Sequence, residues 1–213
     1  MENYIKETID SLKKNGMEVY FEEDKSAALD RVKALLKKGA SVAVGGSVTL
    51  TEIGALDLLR SGDYEFFDRY NAKNDEEIKY CFNKGFEADY FLSSSNAITK
   101  NGELYNVDGN GNRIAPLIYG PKEVIIVAGV NKIVADFKEA VLRVKTVAAP
   151  LNAKRLNMDT YCKNAGICAV VDGTNPSSGC GSNCRICRDY LLLGPQRVSG
   201  RIKVILVNEN LGY

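Results

Sequence analysis

The stretch "SVAVGGSVTLTEIGALDLLRSG", residues 41–62, decides the fold class of this chain. Its first part, 41–46, is a short apolar run ending in glycines, which is typical of a strand buried on both faces of a parallel sheet. The rest places apolar residues at helical spacing, so we expect a helix to begin where the strand ends. A strand that runs directly into a helix predicts crossover connections and a parallel sheet.

The same alternation extends in both directions from this stretch. We expect helices at 3–15, 25–38, 75–84, 114–120 and 135–150, the last restarting at 151–157 after Pro150. We expect further strands at 17–22, 88–95, 122–130 and within 200–213. The prediction is an α/β fold, with a mainly parallel sheet flanked by helices, formed by residues 1–213 as one domain.

Composition argues against several classes of protein. Lys+Arg of 28 against Asp+Glu of 27 leaves a net charge of +1, so we expect no nucleic-acid partner. The chain shows neither a secretory signal nor an apolar stretch of the roughly 20 residues that span a bilayer, so we expect a cytoplasmic protein without a membrane partner. Histidine is absent, so acid–base chemistry must come from Glu, Asp, Lys, Tyr or Cys. The sequence does not decide whether the chain forms a homo-oligomer.

Two short polar stretches follow expected strands, where ligands collect in parallel sheets. At Gly45, Gly46 and Ser47, close backbone approach and a helix start would favour an anion. The alternative is a tight turn with a capping box of Thr49 and Glu52. In "SSSNAIT", residues 93–99, Ser94 and Asn96 could orient a ligand or only turn the chain.

The third polar stretch is "NGELYNVDGNGNR", residues 101–113. "TKNG" at 99–102 predicts a type I′ turn between the arms "AIT" and "ELYNV" of a hairpin. The residues that follow exceed what one turn needs and predict a ligand-facing loop, with Asn106, Gly109, Asn110, Asn112 and Arg113 as binding residues. The alternative is an exposed loop capped by Asp108 or Asn112.

Several of these stretches resemble the LUD (lactate utilisation, LutC-like) domain family. They are "VGGSVTLTEIG" at 44–54, the block at 91–134 from "FLSSSNAITKNG" to "GVNKIV", "AAPLNAKRL" at 148–156 and "GRIKVILVNENLGY" at 200–213. The resemblance implies a NagB/RpiA/CoA-transferase-like fold and a role in lactate and pyruvate metabolism beside iron–sulfur and other oxidoreductase subunits. It also implies Glu103 and Asp108 as acid–base or nucleophilic residues, with Arg113 and Lys132 holding a carboxylate or phosphate. For Lys132 the alternative is a solvated loop lysine.

Residues 160–189 form a cysteine-rich insertion before the last strand, with five of the six cysteines. The C-x2-C pair and the absence of histidine favour a metal, either zinc or an iron–sulfur cluster, over disulfides. The expected ligands are Cys162, Cys168, Cys184 and Cys187, which leaves Cys180 over. The alternatives are redox-labile thiols, or a metal-free loop with free or paired cysteines. Cys81 is expected in the core.

Three hypotheses about function follow, and whether the protein is an enzyme stays open. The leading one is a protein that binds a small anionic metabolite or nucleotide-like ligand, acting in lactate utilisation or a related redox pathway. The second is a non-catalytic subunit or assembly factor that docks on an iron–sulfur oxidoreductase. The third is an acyl or CoA-type transferase with Glu103 as nucleophile.

Overall fold

A computed structural model describes all residues from Met1 to Tyr213. The helices are α1 (Asn3–Lys14), α2 (Lys25–Leu35), α3 (Val48–Glu52), α4 (Ala55–Leu59), α5 (Asp75–Lys84), α6 (Ile114–Ile118), α7 (Phe137–Arg143), α8 (Ala149–Arg155) and α9 (Tyr161–Ala165). The strands are β1 (Glu18–Glu22), β2 (Ser41–Val44), β3 (Glu65–Phe67), β4 (Tyr90–Ser93), β5 (Ala97–Thr99), β6 (Leu104–Asp108), β7 (Glu123–Gly129), β8 (Ile133–Val134), β9 (Asp189–Leu193) and β10 (Ile202–Val207).

A six-stranded parallel sheet forms the centre of the molecule, in the order β1-β10-β7-β4-β2-β3. The inner strands are apolar on both faces: Ile125, Ile126 and Val127 of β7 are fully buried. Such strands need cover on each side. The expected α/β fold with a parallel sheet flanked by helices is therefore confirmed.

Two apolar clusters cover the faces of this sheet. On one face, residues of α2, α3 and α4 pack against alternate residues of the inner strands, among them Ile125 and Val127. On the other face, α1 and residues of a second sheet pack against the intervening positions, among them Val124 and Ile126. None of the helices combines the length and the hydrophobicity that a membrane span requires.

Of the second sheet, only the hairpin of β5 and β6 was predicted from the sequence. The sheet has four strands in the order β8-β5-β6-β9, with β6 antiparallel to both neighbours and β8 parallel to β5. Because β9 comes directly after the cysteine-rich segment, that segment leads first into this sheet and only then into β10 of the parallel sheet. The pairing sets Asp108 at the end of β6 opposite Asp189 at the start of β9.

The expected type I′ turn between β5 and β6 is wrong. Asn157 is the one non-glycine residue with positive φ, so neither Lys100 nor Asn101 adopts the required conformation. Instead the Gly102 N–H donates to the carbonyl of Thr99 at 2.9 Å, and Gly102 itself has φ +78°. This is a type I turn followed by a left-handed glycine, the usual three-residue hairpin loop.

Two expected helices differ in their details. The helix expected over 47–62 is divided at Gly54, whose φ of +78° ends α3 and starts α4. The helix expected to restart after Pro150 instead continues through a π-helical turn at Val144–Ala148 into α8. Pro150 comes just after this π-helical turn, so its missing N–H falls where the regular i→i−4 hydrogen-bond pattern is already interrupted.

Candidate functional site

A cavity of about 430 Å³ lies at the carboxyl edge of the parallel sheet. Its floor comes from segments that follow three different strands, with Thr49 after β2, Ser94 after β4 and Lys132 after β7, and Tyr213 after β10 lies at its rim. Parallel strands bring their carboxyl ends to the same edge, so residues far apart in the chain meet here. This is the edge at which the sequence predicted a ligand.

The opposite wall comes from the second sheet. The loop after β6 lines the cavity together with residues 183–186 and Arg188 before β9, because the pairing of β6 with β9 holds the two segments together. The two segments touch at Gly109, where an added Cβ would lie 3.2 Å from the carbonyl oxygen of Ile186. The end of the cysteine-rich segment is thus part of the same site as the polar loop.

Lys132 lies at the floor of the cavity and is 2% exposed. Its Nζ donates to the hydroxyls of Thr49 at 3.0 Å and Ser94 at 2.9 Å, and none of the ion pairs in the protein includes it. Burial, followed by the charges of Arg143 and Arg113, lowers the pKa of Lys132 to about 7. Lys132 is therefore not a solvated loop residue.

Arg113 also lines the cavity, but its guanidinium is engaged by the protein. Nη1 donates to Asn106 Oδ1 at 2.6 Å and to the carbonyl of Ser94 at 3.3 Å. Nη2 donates to Asn96 Oδ1 at 2.9 Å and to the carbonyl of Val107 at 2.7 Å. The guanidinium that was expected to hold a carboxylate or phosphate thus fastens the polar loop to the segment after β4, although its charge still adds to the field in the cavity.

Gly45 makes room for this arrangement. A Cβ on Gly45 would lie 2.6 Å from Cγ of Arg113 and 2.9 Å from Oγ of Ser93. Next to it, a Cβ on Gly46 would lie 2.7 Å from Nη2 of Arg69. The glycines therefore admit arginine side chains. The expected capping box of Thr49 and Glu52 is not formed, since Ser47 caps α3.

The two expected catalytic carboxylates have structural contacts. Asp108 lines the cavity, but it accepts backbone N–H bonds from Gly109 and Arg113 at 2.8 Å and from Ile114 at 3.3 Å. Asp108 therefore caps the loop, as the alternative interpretation of this stretch predicted. Glu103 is outside the cavity lining and accepts a hydrogen bond from the Thr99 hydroxyl at 2.8 Å, next to the hairpin turn.

The lining includes most of the residues expected from the sequence, namely Gly46, Ser47, Ser94, Asn96, Asp108, Gly109, Asn110, Asn112, Arg113 and Lys132. Gly45 and Asn106 lie behind it: Asn106 is fully buried and contacts Arg113. Sequence reasoning missed a group of basic and polar lining residues, namely Arg69, Asn152, Arg155, Arg185, Arg188 and Tyr213. One signal in the sequence could have indicated Arg185 and Arg188. The apolar run after Asp189 is typical of a strand, and pairing of that strand with β6 brings the residues before it next to the polar loop.

The lining is strongly basic. Six basic side chains face one acidic side chain, Asp108, although the whole chain has a net charge of +1. The Nε of Arg69 is buried and has no hydrogen-bond partner. At the rim, Arg155 Nε donates to the hydroxyl of Tyr213 at 2.7 Å. A cavity with this balance of charge favours an anion.

The cysteines are arranged differently from the expected ligand set. All six are free, and no group of three or more Cys, Asp or Glu side chains is close enough to hold a metal ion. A second cavity, of about 20 Å³, is lined by Cys162, Cys168, Cys180 and Cys187. Cys184, expected among the ligands, is exposed and lines the large cavity instead. Cys81 is half-buried in α5.

Comparison with known proteins agrees with the fold. The chain is similar to a DUF162 family protein from Deinococcus radiodurans of known crystal structure, with 15% identity, 96% of each chain covered and a TM-score of 0.54. At this level of sequence identity, the similarity indicates a shared fold and nothing about function. None of the curated proteins compared with the chain matches it. The model of the LUD domain matches residues 5–207, which include both sheets and every residue of the cavity except Tyr213. On this match, the chain belongs to the LUD domain family.

Proposed function

We propose that this protein binds a small anionic metabolite in the large cavity, with the Lys132 ammonium holding the anionic group. The observation that carries the proposal is the buried Nζ of Lys132 at the cavity floor. An ammonium has three donors, and the hydroxyls of Thr49 and Ser94 accept two. The third donor is left for a ligand.

The hydroxyls themselves support this arrangement. Thr49 Oγ1 points its own donor at the carbonyl of Leu211 at 3.4 Å, and Ser94 Oγ at that of Ser95 at 3.5 Å. Both oxygens are therefore free to accept from Lys132. A buried ammonium without a carboxylate partner is costly, and a ligand carboxylate or phosphate would supply the missing charge.

The size and charge of the cavity narrow the class of ligand. A volume of about 430 Å³ lies within the range of small-molecule sites and admits either a short carboxylic acid or a nucleotide-sized molecule. The excess of arginines at the walls suits carboxylate or phosphate oxygens. Since LUD stands for lactate utilisation, lactate and pyruvate are the first ligands to test. For the same reason, the partner that we propose is an iron–sulfur or other oxidoreductase subunit.

The placement of Glu103 gives no support to a transferase that uses this residue. Its carboxylate is bound to Thr99 and lies outside the cavity lining, so a ligand held by Lys132 would not meet it there. Asp108 does line the cavity, but its oxygens accept hydrogen bonds from backbone N–H groups. We therefore propose binding of an anion without assigning a covalent step.

A thermal-shift and calorimetric screen tests the proposal. Lactate, pyruvate, phosphate and AMP are compared with sodium chloride at equal ionic strength and at about pH 6, where Lys132 is mostly protonated. We expect at least one of the organic or phosphate anions to bind, and Lys132→Met to weaken that binding by about 10- to 100-fold, the value of one charged hydrogen bond.

Lys122→Met is the control, because Lys122 is an exposed lysine paired with Asp89 outside the cavity. Its affinity should equal that of the unmodified protein. If no anion binds better than chloride, or if Lys132→Met binds as well as Lys122→Met, the proposal is wrong.

A further inference from the structure

We propose that Cys162, Cys168, Cys180 and Cys187 bind a single metal ion of the zinc type, in a site separate from the anion cavity. These four thiols line one cavity of about 20 Å³. The proposal goes beyond anion binding, and its ligand set differs from the one expected from spacing: Cys180 takes the place of Cys184.

The small cavity suits one ion. A volume of about 20 Å³ has room for one water-sized sphere, which is the scale of a single ion. A four-thiolate set is a common closed site for zinc, with Zn–S distances of about 2.3 Å. The four sulfurs surround the cavity without being close enough to hold an ion, so binding would draw them inward. Binding would also release their protons.

Two cationic side chains lie beside the thiols. Arg185 Nε donates to Sγ of Cys187 at 3.2 Å, a contact that a thiolate would strengthen. Lys145 is buried, lines the same cavity and donates from Nζ to Ser178 Oγ at 2.6 Å. A zinc ion with four thiolates has a net charge of −2, which these two cations would offset.

The proposed ion would also order the wall of the large cavity. Cys180 and Cys187 bracket residues 183–186, which line the large cavity with Cys184 among them. Arg185 links the two cavities. It lines the large cavity, and it contacts two residues that line the small one: Nε donates to Cys187 Sγ, and Nη2 donates to the Tyr190 hydroxyl at 2.6 Å. An ion held by the bracketing thiols would fix the position of these cavity residues.

The test measures metal content after anaerobic purification, exposure to zinc and removal of unbound metal. We expect about one zinc per chain, and no acid-labile sulfide, in the unmodified protein. Cys184→Ser is the matched control, since it removes a thiol four residues from Cys180, and it should keep its zinc. Cys180→Ser and Cys187→Ser should lose at least about nine-tenths of theirs.

A second measurement tests the proposal even if Cys180→Ser or Cys187→Ser does not fold. Cobalt(II) is titrated into the unmodified protein and Cys184→Ser, and the sulfur-to-cobalt absorption should saturate at one ion with equal intensity in both, since intensity scales with the number of thiolates. The proposal is overturned if the zinc-exposed protein holds no stoichiometric metal. Loss of zinc or of cobalt absorption in Cys184→Ser, or several irons with sulfide per chain, would also overturn it.

Discussion

Nζ of Lys132 and Oγ of Ser94 lie 2.9 Å apart at the floor of the cavity, although 38 residues separate them in the chain. The contact joins the segments that follow β7 and β4, which are neighbours in the parallel sheet. A buried lysine held by hydroxyls and by no carboxylate does little for stability. Burying an ammonium without a carboxylate costs free energy, so a lysine buried in this way at the floor of a cavity is a candidate for ligand binding.

Replacing Lys132 by Met should not destabilise the protein at neutral pH. Methionine fills a similar volume, and the substitution removes a buried ammonium that no carboxylate compensates. We expect the free energy of unfolding in urea to stay within about 1 kcal/mol of the unmodified value or to rise. A loss above about 2 kcal/mol would show that Lys132 is held for structure.

The stability difference between the unmodified protein and Lys132→Met should depend on pH. The pKa of Lys132 is about 7 in the folded protein, against about 10.4 in the unfolded chain. Between these values the unfolded chain binds more protons, so the unmodified protein should gain stability relative to the variant as pH rises, by up to about 1.4 kcal/mol per unit. Urea unfolding from pH 6 to 10 measures this. A constant difference would mean that the two pKa values of Lys132 are equal.

Gly45→Ala should disturb the site by displacing Arg113. The new methyl group would lie 2.6 Å from Cγ of Arg113, whose guanidinium fastens the polar loop. We expect a loss of about 1–3 kcal/mol in the free energy of unfolding. Gly194→Ala is the control, since a Cβ there meets no atom within 4 Å and its φ is not positive. Equal stability of the two variants would contradict the packing argument.

Glu103→Gln should leave anion binding unchanged. Glu103 lies outside the cavity lining, and an amide oxygen can still accept the Thr99 hydroxyl hydrogen bond. We expect a dissociation constant within about twofold of the unmodified protein, measured by calorimetry with the anion found in the screen. A large loss of affinity with the fold intact would return Glu103 to the site and revive the transferase hypothesis.

Local patterns were enough to predict the parallel sheet. The strand β7 follows from a long apolar run, and α5 lies where the sequence predicted a helix at 75–84. Of the second sheet, only the β5–β6 hairpin could be predicted in the same way. Strand β8 has two residues, too few to show alternation, and the pairings of β5 with β8 and of β6 with β9 depend on contacts distant in sequence.

The site was predicted in its position better than in the roles of its residues. Polar residues after strands indicated the right edge of the sheet, because parallel strands end together. The sequence could not show that Arg113 would spend its donors on Asn106 and Asn96, or that Lys132 would be buried, since both depend on tertiary packing. Arg155, which reaches the cavity from α8, shows no local pattern that distinguishes it from a surface residue.

A crystal structure of the protein with the tightest anion of the screen, grown at about pH 6, tests the central claim most directly. The account predicts an anionic oxygen within about 2.7–3.2 Å of Lys132 Nζ, with the hydroxyls of Thr49 and Ser94 still accepting from the same nitrogen. An anion bound elsewhere, with Lys132 contacting only Thr49 and Ser94, would contradict it.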